Sequence, residues 1–192
     1  VFLDEADYTH CLGQIRALSQ QYELAIHAFC LLPDGLHILA TPLGDPGNLS
    51  RFMKALSCSA SSRRKRLHGA TSVWEVRYRS SPVEPGQWML ACICYIERLP
   101  VTQRLASSAY HYHRSSYRMR LGKTHQYWLE DPEEYTRLGG SIEDRAEAYR
   151  MYMSNGLDPH EEKMIDTAVK RCRLTGSRHF VREVYRKYGV LG

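Results

Sequence analysis

The sequence predicts an α+β fold that continues into a helical C-terminal extension. Helical periodicity alternates with short runs of β-forming residues up to about residue 100. A basic, aromatic stretch without clear periodicity follows, and the rest of the chain shows helical patterns alone. The change of pattern divides the chain into a first domain, residues 1–125, and an extension, residues 126–192.

The first elements predict a β-hairpin flanked by two helices. Residues 4–22 have the apolar spacing of an amphipathic helix. Residues 23–32 are short and rich in β-formers, and residues 33–35, Pro-Asp-Gly, are a turn signal. Residues 36–41 then form a second strand, which gives a tight antiparallel hairpin. Residues 49–67 predict a basic helix.

The next elements suggest how the first domain is completed. Residues 73–79 alternate with period two and predict a third strand. Residues 87–99 are an apolar helix that Pro100 is expected to terminate. With one strand before the first helix, this order would be a ferredoxin-like β-α-β-β-α-β unit. That strand is not visible in the chain, and only residues 1–3 could be its remnant.

Three helices are predicted in the extension, at residues 141–154, 159–174 and 177–188. The junction between the last two has the pattern of a helix–turn–helix connection, with Gly176 as C-cap and Ser177 as the following N-cap. Two roles are open for these helices: an accessory DNA-binding module, or a cover on the sheet.

The positive charge of the chain is concentrated in its middle. Residues 46–129 hold 14 Lys or Arg against 3 acids, whereas the flanks hold 12 bases against 18 acids. A basic middle predicts a polyanion-binding surface, and a solvated helix face is the alternative. Aromatic residues interleaved with the bases favour nucleic acid, because bases stack on aromatic rings.

The cysteines and the hydropathy argue against two other classes of protein. None of the six cysteines has the spacing of a zinc site or a disulfide framework, so a reduced cytoplasmic protein is expected. No apolar run approaches the length of a membrane span, and no membrane partner is expected.

Several segments resemble one family, the single-tyrosine HUH transposases. A segment that ends at His37 resembles the family's strand ending in His-hydrophobic-His, and residues 114–117 (RSSY) are similar to its "wSSy" element. Residues 73–80 (VWEVRYRS) resemble its "lWqgRyks" strand, and residues 94–101 (CYIERLPV) its "rYIelNPVra" helix end. Residues 176–180 resemble the helical C-terminal part of the REP-associated tyrosine transposases. The chain is thus similar to that group, with a degenerate HUH motif.

This resemblance implies a ferredoxin-like HUH domain and DNA transposition chemistry. In the family, a tyrosine hydroxyl attacks a DNA phosphodiester and forms a 5′-phosphotyrosine, while two histidines and an asparagine hold Mg²⁺ or Mn²⁺. The matching tyrosine is Tyr95 and the second histidine is His37. Gly35 and Leu99 occupy the places of the other two ligands, so the resemblance implies weak metal binding or none. Among the neighbours, Asp34 and Glu97 are expected to face away, and His27 on the adjacent strand is the plausible replacement, although a packed strand histidine is the favoured interpretation of it.

Three functions follow as hypotheses. The first is a DNA-binding protein for hairpin or single-stranded DNA, with cleavage impaired or lost. The second is an active transposase or endonuclease that acts through Tyr95 with an unconventional metal site. The third is a scaffold or regulatory protein that uses the fold for protein contacts. The residues expected to contact DNA are Lys54, Arg63, Arg64, Lys65, Arg66, Trp74, Arg77, Arg79, Arg114, Arg118 and Lys123.

Overall fold

The structure, a computed structural model, describes residues 2–69, 78–124 and 127–189. Over these ranges it has eight α-helices and a two-stranded antiparallel sheet, which confirms the α+β class. Residues 2–3 precede the first helix without forming a strand. The predicted strand at residues 73–79 falls largely on residues 70–77, outside the described residues. The elements are α1 (Glu5–Gln21), β1 (Leu24–Leu32), β2 (Gly35–Pro42), α2 (Asn48–His68), α3 (Gln87–Thr102), a 3-10 turn (Ala109–His111), α4 (Tyr117–Arg120), α5 (Glu133–Thr136), α6 (Ile142–Asn155), α7 (Pro159–Lys170) and α8 (Arg178–Tyr188).

The predicted hairpin is confirmed as the antiparallel pair of β1 and β2. Its register places Gly35 opposite Leu32, and His37 opposite Cys30. An irregularity between Ile26 and Ala28 inserts one extra residue, the histidine at position 27, into β1. Such a bulge twists the strand locally and changes the direction in which the extra side chain points.

The edge of β1 that faces away from β2 also forms hydrogen bonds, and its partners lie outside any strand. The Leu31 N–H donates to the Arg114 carbonyl at 2.8 Å, and the Tyr112 hydroxyl donates to the Leu31 carbonyl at 2.6 Å. Further along, the Glu130 N–H donates to the Ile26 carbonyl at 2.9 Å. These bonds satisfy groups that an edge strand would leave unpaired. They explain why all nine residues of β1 are buried.

The core of this part lies between the hairpin and the helices α1 and α2. The Asp4 carboxylate caps α1 by accepting from the Asp7 N–H at 2.8 Å. Helix α2 ends at His68 and is capped by Gly69, whose φ of +68° is the left-handed conformation that costs glycine least. The buried core residues are Tyr8, Cys11, Ile15, Leu24, Ile26, Phe29, Leu31, Phe52, Leu56, Met119 and Leu129.

Helix α3 runs to Thr102, so the prediction that Pro100 terminates it was wrong. A proline lacks the N–H that would bond to the carbonyl four residues earlier, and it costs most in the middle of a helix. Pro100 lies near the C-terminal end, where few later bonds depend on it. The Gln103 N–H still donates to the Leu99 carbonyl at 2.8 Å.

Helix α7 ends at Lys170, earlier than predicted, so Gly176 is not its C-cap. Cys172 takes a positive φ of 51° just after the helix instead. Gly176 instead allows the side chains of Glu84 and Phe180 to approach the backbone closely. An added Cβ at Gly176 would lie 2.7 Å from the Cβ of Glu84 and 2.7 Å from Cδ1 of Phe180. The Ser177 N-cap is confirmed, because its hydroxyl accepts from the Phe180 N–H at 3.2 Å.

The chain divides into two compact units. The first comprises Val1–Tyr78 and Ile96–Glu130, and the second comprises Arg79–Tyr95 and Asp131–Gly192. Helix α3 contributes residues to both. The predicted division after residue 125 stays a prediction. None of the helices within the described ranges has the length and apolar character needed to cross a membrane.

Candidate nucleic-acid interface and tyrosine site

Helix α2 carries six basic residues and no acid over its 21 residues. Phe52 and Leu56 on one side are buried in the core. Lys54 and Lys65 are exposed on the other side, and Arg66 is exposed near the C-terminal end of the helix. Arg63 to Arg66 are consecutive, so they spread around that end, and Arg63 lies towards Asp7 of α1. We call Lys54, Arg63, Arg64, Lys65 and Arg66 together the α2 basic face.

The positive charge of α2 affects the pKa of a neighbouring histidine. His10 of α1 contacts the Ser59 hydroxyl of α2 at 3.1 Å. Burial lowers the pKa of His10, and the guanidinium groups of Arg63 and Arg66 lower it further, against an opposing effect of Asp7. The local field at this end of α2 thus disfavours an additional positive charge. The same field attracts phosphate.

Two of the predicted DNA contacts are paired with acids of α1. Nε of Arg63 lies 3.0 Å from the Asp7 carboxylate. Burial alone would raise the pKa of Asp7, but its hydrogen bonds with the Leu3 N–H and Arg63, together with the charge of Arg63, hold the pKa below its usual value. Arg114 lies 2.5 Å from a Glu5 oxygen, with its guanidinium 3.6 Å from the Tyr8 ring centre. A phosphate would compete with these carboxylates for both arginines.

The remaining predicted contacts are dispersed. Arg118 contacts the His113 ring, and its guanidinium lies 5.2 Å from the centre of the Tyr110 ring. Lys123 is exposed in the first unit, whereas Arg79 is exposed in the second. Trp74 and Arg77 lie outside the described residues. Five of the eleven predicted residues, the α2 basic face, thus lie on one helix, with Lys54 earlier on it than the four consecutive residues Arg63 to Arg66.

The predicted nucleophile lies in the second unit and is buried. Tyr95 is 9% exposed, and its hydroxyl donates to Oδ1 of Asp166, on α7, at 3.2 Å. The other carboxylate oxygen of Asp166 accepts from Lys170 at 2.8 Å. Sequence reasoning did not find Asp166, because the two partners are 71 residues apart and no motif connects them.

The surroundings of Tyr95 oppose ionisation of the phenol. Burial raises its pKa well above the usual tyrosine value, and the nearby carboxylates of Asp166 and Glu162 raise it further. A phenol must lose its proton to become a good nucleophile. Negative charge beside the hydroxyl also repels an incoming phosphodiester. This environment keeps Tyr95 neutral near pH 7.

The predicted metal position contains a single histidine of the expected set. His37 is half-buried on β2, and Gly35 begins that strand. Leu99 is 6% exposed and offers no ligand atom. Across residues 2–69, 78–124 and 127–189, no group of three or more His, Cys, Asp or Glu side chains is placed to hold a metal ion.

His27 is not a replacement ligand, because both of its ring nitrogens are occupied. Its Nδ1 donates to the Glu130 carbonyl at 2.6 Å, which leaves Nε2 as the acceptor for the Thr41 hydroxyl at 2.8 Å. The ring therefore connects the bulged strand β1 to the end of β2 and to residue 130. Its role is structural.

The structure contains a buried charged cluster, Glu97 with Arg120 and Ser116, that the sequence did not predict. Glu97 and Arg120 have fully buried side chains, with Nε of Arg120 3.3 Å from Oε1 of Glu97. The Ser116 hydroxyl donates to the same oxygen at 2.5 Å and accepts from the Phe29 N–H at 3.0 Å. Arg120 also donates to the His27 carbonyl. Glu97 and Ser116 belong to two of the family-like segments, so in this chain those segments supply contacts that hold the first unit together.

No family model, curated protein or solved structure matches this chain at a significant level. The resemblance to the transposases therefore depends on the motifs quoted above.

Gly35 offers a direct test of the predicted metal position. An added Cβ at Gly35 meets nothing within 4 Å, and its φ does not require glycine. We expect Gly35→His to keep the unfolding midpoint and to bind Ni²⁺ or Zn²⁺ more tightly than the wild type, because residues i and i+2 of a strand face the same side. Calorimetric titration with each metal measures this. Gly35→Ala is the matched control, and equal affinity for the two variants would show that positions 35 and 37 cannot share an ion.

Proposed function

We propose that this protein is a DNA-binding member of the single-tyrosine HUH transposase type, built on a ferredoxin-like domain. It recognises hairpin or single-stranded DNA, and its metal-dependent cleavage is impaired or lost. The observation that carries the proposal is the α2 basic face, which presents charge along a helix that contains no acid.

The length of α2 and the exposed aromatic rings of the first unit support a polyanionic partner. A helix of 21 residues is about 30 Å long, which spans several successive phosphates of a nucleic acid. The first unit also exposes aromatic rings: Tyr110 is 41% exposed and Tyr127 is 48% exposed. Unpaired bases stack on such rings while Lys and Arg contact the phosphates. These features favour single-stranded or looped DNA over a protein partner.

The tyrosine environment supports binding over cleavage. Tyr95 is buried, its hydroxyl donates to Asp166, and its pKa is raised. Gly35 and Leu99 occupy the positions of two of the three expected metal ligands. Without a metal, the scissile phosphate keeps its negative charge and the phenol lacks electrostatic assistance.

One observation favours the alternative of an active endonuclease. A nucleophile that hydrogen-bonds to a base is a common arrangement in covalent catalysis, and Asp166 could accept the Tyr95 proton. Cleavage would then use a carboxylate where the family uses a metal-supported site.

Incubation of the protein with a hairpin oligonucleotide in Mn²⁺ separates these functions. We expect a retarded complex that weakens steeply with salt, and no covalent adduct on a denaturing gel. An adduct that disappears in Tyr95→Phe would establish the endonuclease. Absence of any complex at low salt would contradict both DNA functions and favour a protein scaffold.

The Tyr95 environment makes a separate prediction about titration. Because burial and Asp166 raise the pKa of Tyr95, we expect its phenolate signal to be missing near pH 10, where ordinary tyrosines ionise. Asp166→Asn should lower the pKa of Tyr95 towards that value. The neutral form is the one the fold favours, so stability from this group is complete below pH 10 and falls at higher pH. NMR of Cζ-labelled tyrosine, assigned with Tyr95→Phe, measures both effects, and an unchanged pKa in Asp166→Asn would contradict the assignment.

A further inference from the structure

The end of the chain has a charge distribution of its own. Residues 170–187 contain seven Lys or Arg and a single acid, Glu183. This cluster was hidden in the sequence analysis, because the acids of residues 130–166 outweigh it when the flank is counted as a whole. It belongs to the second unit and is separate in sequence from the α2 basic face.

Helix α8 arranges three of these bases in a row. Arg178, Arg182 and Arg186 are four residues apart, so they lie on one face of the helix, and all three are exposed. The row is about 12 Å long at the rise of an α-helix. Phe180 and Val184 lie between them in sequence and are half-buried. We call the three arginines the α8 arginine row.

The segment before α8 is fixed by several hydrogen bonds. The Thr175 N–H donates to the Pro82 carbonyl at 2.9 Å, and the Glu84 N–H donates to the Thr175 carbonyl at 2.8 Å. The Glu84 carboxylate accepts from the Ser177 N–H at 2.5 Å and from its hydroxyl at 3.1 Å. The close contact at Gly176 allows this arrangement. The start of α8 is therefore held within its unit by these bonds, while the rest of the helix has no fully buried residue.

Arg178 is the first residue of α8, and the negative charge at this end of the helix comes from Glu84, whose carboxylate accepts from Ser177. This carboxylate offsets the partial positive charge of the helix dipole. The three arginines of the row stay exposed, and no acid of the first turn of α8 pairs with them. Glu183 contacts Arg186 at 2.7 Å, but this pair is exposed and worth little, so a phosphate can displace it.

We propose that the α8 arginine row binds the phosphate backbone of duplex DNA, such as the stem of a hairpin. This inference deepens the proposed function and rests on it. A row along one helix face suits a duplex, whose phosphates have regular spacing and whose major groove accepts an α-helix. Single strands instead need aromatic platforms, and Tyr188 at the very end of α8 is the exposed aromatic residue of this helix.

The test compares two triple variants of the full chain. One is Arg178→Gln, Arg182→Gln and Arg186→Gln, and the control is Arg137→Gln, Arg150→Gln and Lys163→Gln, which removes the same charge from exposed positions of the same unit. The probes are a blunt duplex and a single strand of one sequence, titrated at several salt concentrations. Circular dichroism and thermal unfolding verify that both variants are folded.

We expect the row variant to bind the duplex at least tenfold more weakly than the control. Its slope of log K against log salt should be smaller by about 2 to 3, since each lost phosphate contact contributes about 0.9. Its single-strand affinity should stay close to that of the control. Equal duplex affinities of the two variants, or an equal loss for duplex and single strand, would overturn the role of the α8 arginine row. The proposed function would still stand in that case if the protein binds the single strand. If the wild type binds neither probe, the proposed function fails together with it.

Discussion

Arg120→Ala is expected to destabilise the protein by about 3–5 kcal/mol, the usual cost of removing one partner from a buried ion pair. Both side chains of the Glu97–Arg120 pair are fully buried. Without Arg120, the Glu97 carboxylate stays in the interior with the Ser116 hydroxyl at 2.5 Å, but without the neighbouring guanidinium. The His27 carbonyl also loses a donor. Such a loss is a large fraction of the free energy of unfolding of a typical domain, about 5–15 kcal/mol.

Urea denaturation of the wild type and variants measures the effect. Arg51→Ala is the control, because Arg51 pairs with Asp45 at 2.8 Å on the surface and should cost at most about 1 kcal/mol. The double replacement Glu97→Leu with Arg120→Met should regain much of the lost stability, since an apolar pair leaves no buried charge. A cost for Arg120→Ala no larger than that of Arg51→Ala would contradict the buried pair.

The second large effect is expected on DNA affinity. Replacing Lys54, Lys65 and Arg66 by glutamine should weaken single-strand binding by on the order of a hundredfold at low salt, and should reduce the salt slope by about 2. The three side chains are exposed, so the fold should be unaffected. The reason is loss of phosphate contacts along α2, which has no acid to compensate.

Fluorescence anisotropy with a labelled oligonucleotide measures this loss. The control is the variant with Arg137, Arg150 and Lys163 replaced by glutamine, which has the same net charge and should retain near wild-type affinity. If the two triple variants weaken binding equally, overall charge and not the α2 basic face explains the affinity, and the interface must lie elsewhere.

Local patterns in the sequence were sufficient for several elements. The hairpin was predicted because two β-rich runs flank Pro33-Asp34-Gly35, and α2 was predicted as a basic helix over residues 49–67. The Ser177 N-cap was also predicted from short-range chemistry. The predicted C-terminal ends of two helices were wrong. Pro100 lies inside α3, and α7 ends before Gly176.

The sequence by itself determined the motifs of the site: Tyr95, His37, the substitutions at Gly35 and Leu99, and the basic composition of α2. Only the tertiary structure decided what surrounds them. It placed the Asp166 carboxylate on the tyrosine hydroxyl, occupied both nitrogens of His27 and buried Glu97 with Arg120. The physical reason is that spacing specifies which residues share a face of one helix or strand. Contacts between residues far apart in the chain depend on how those elements pack.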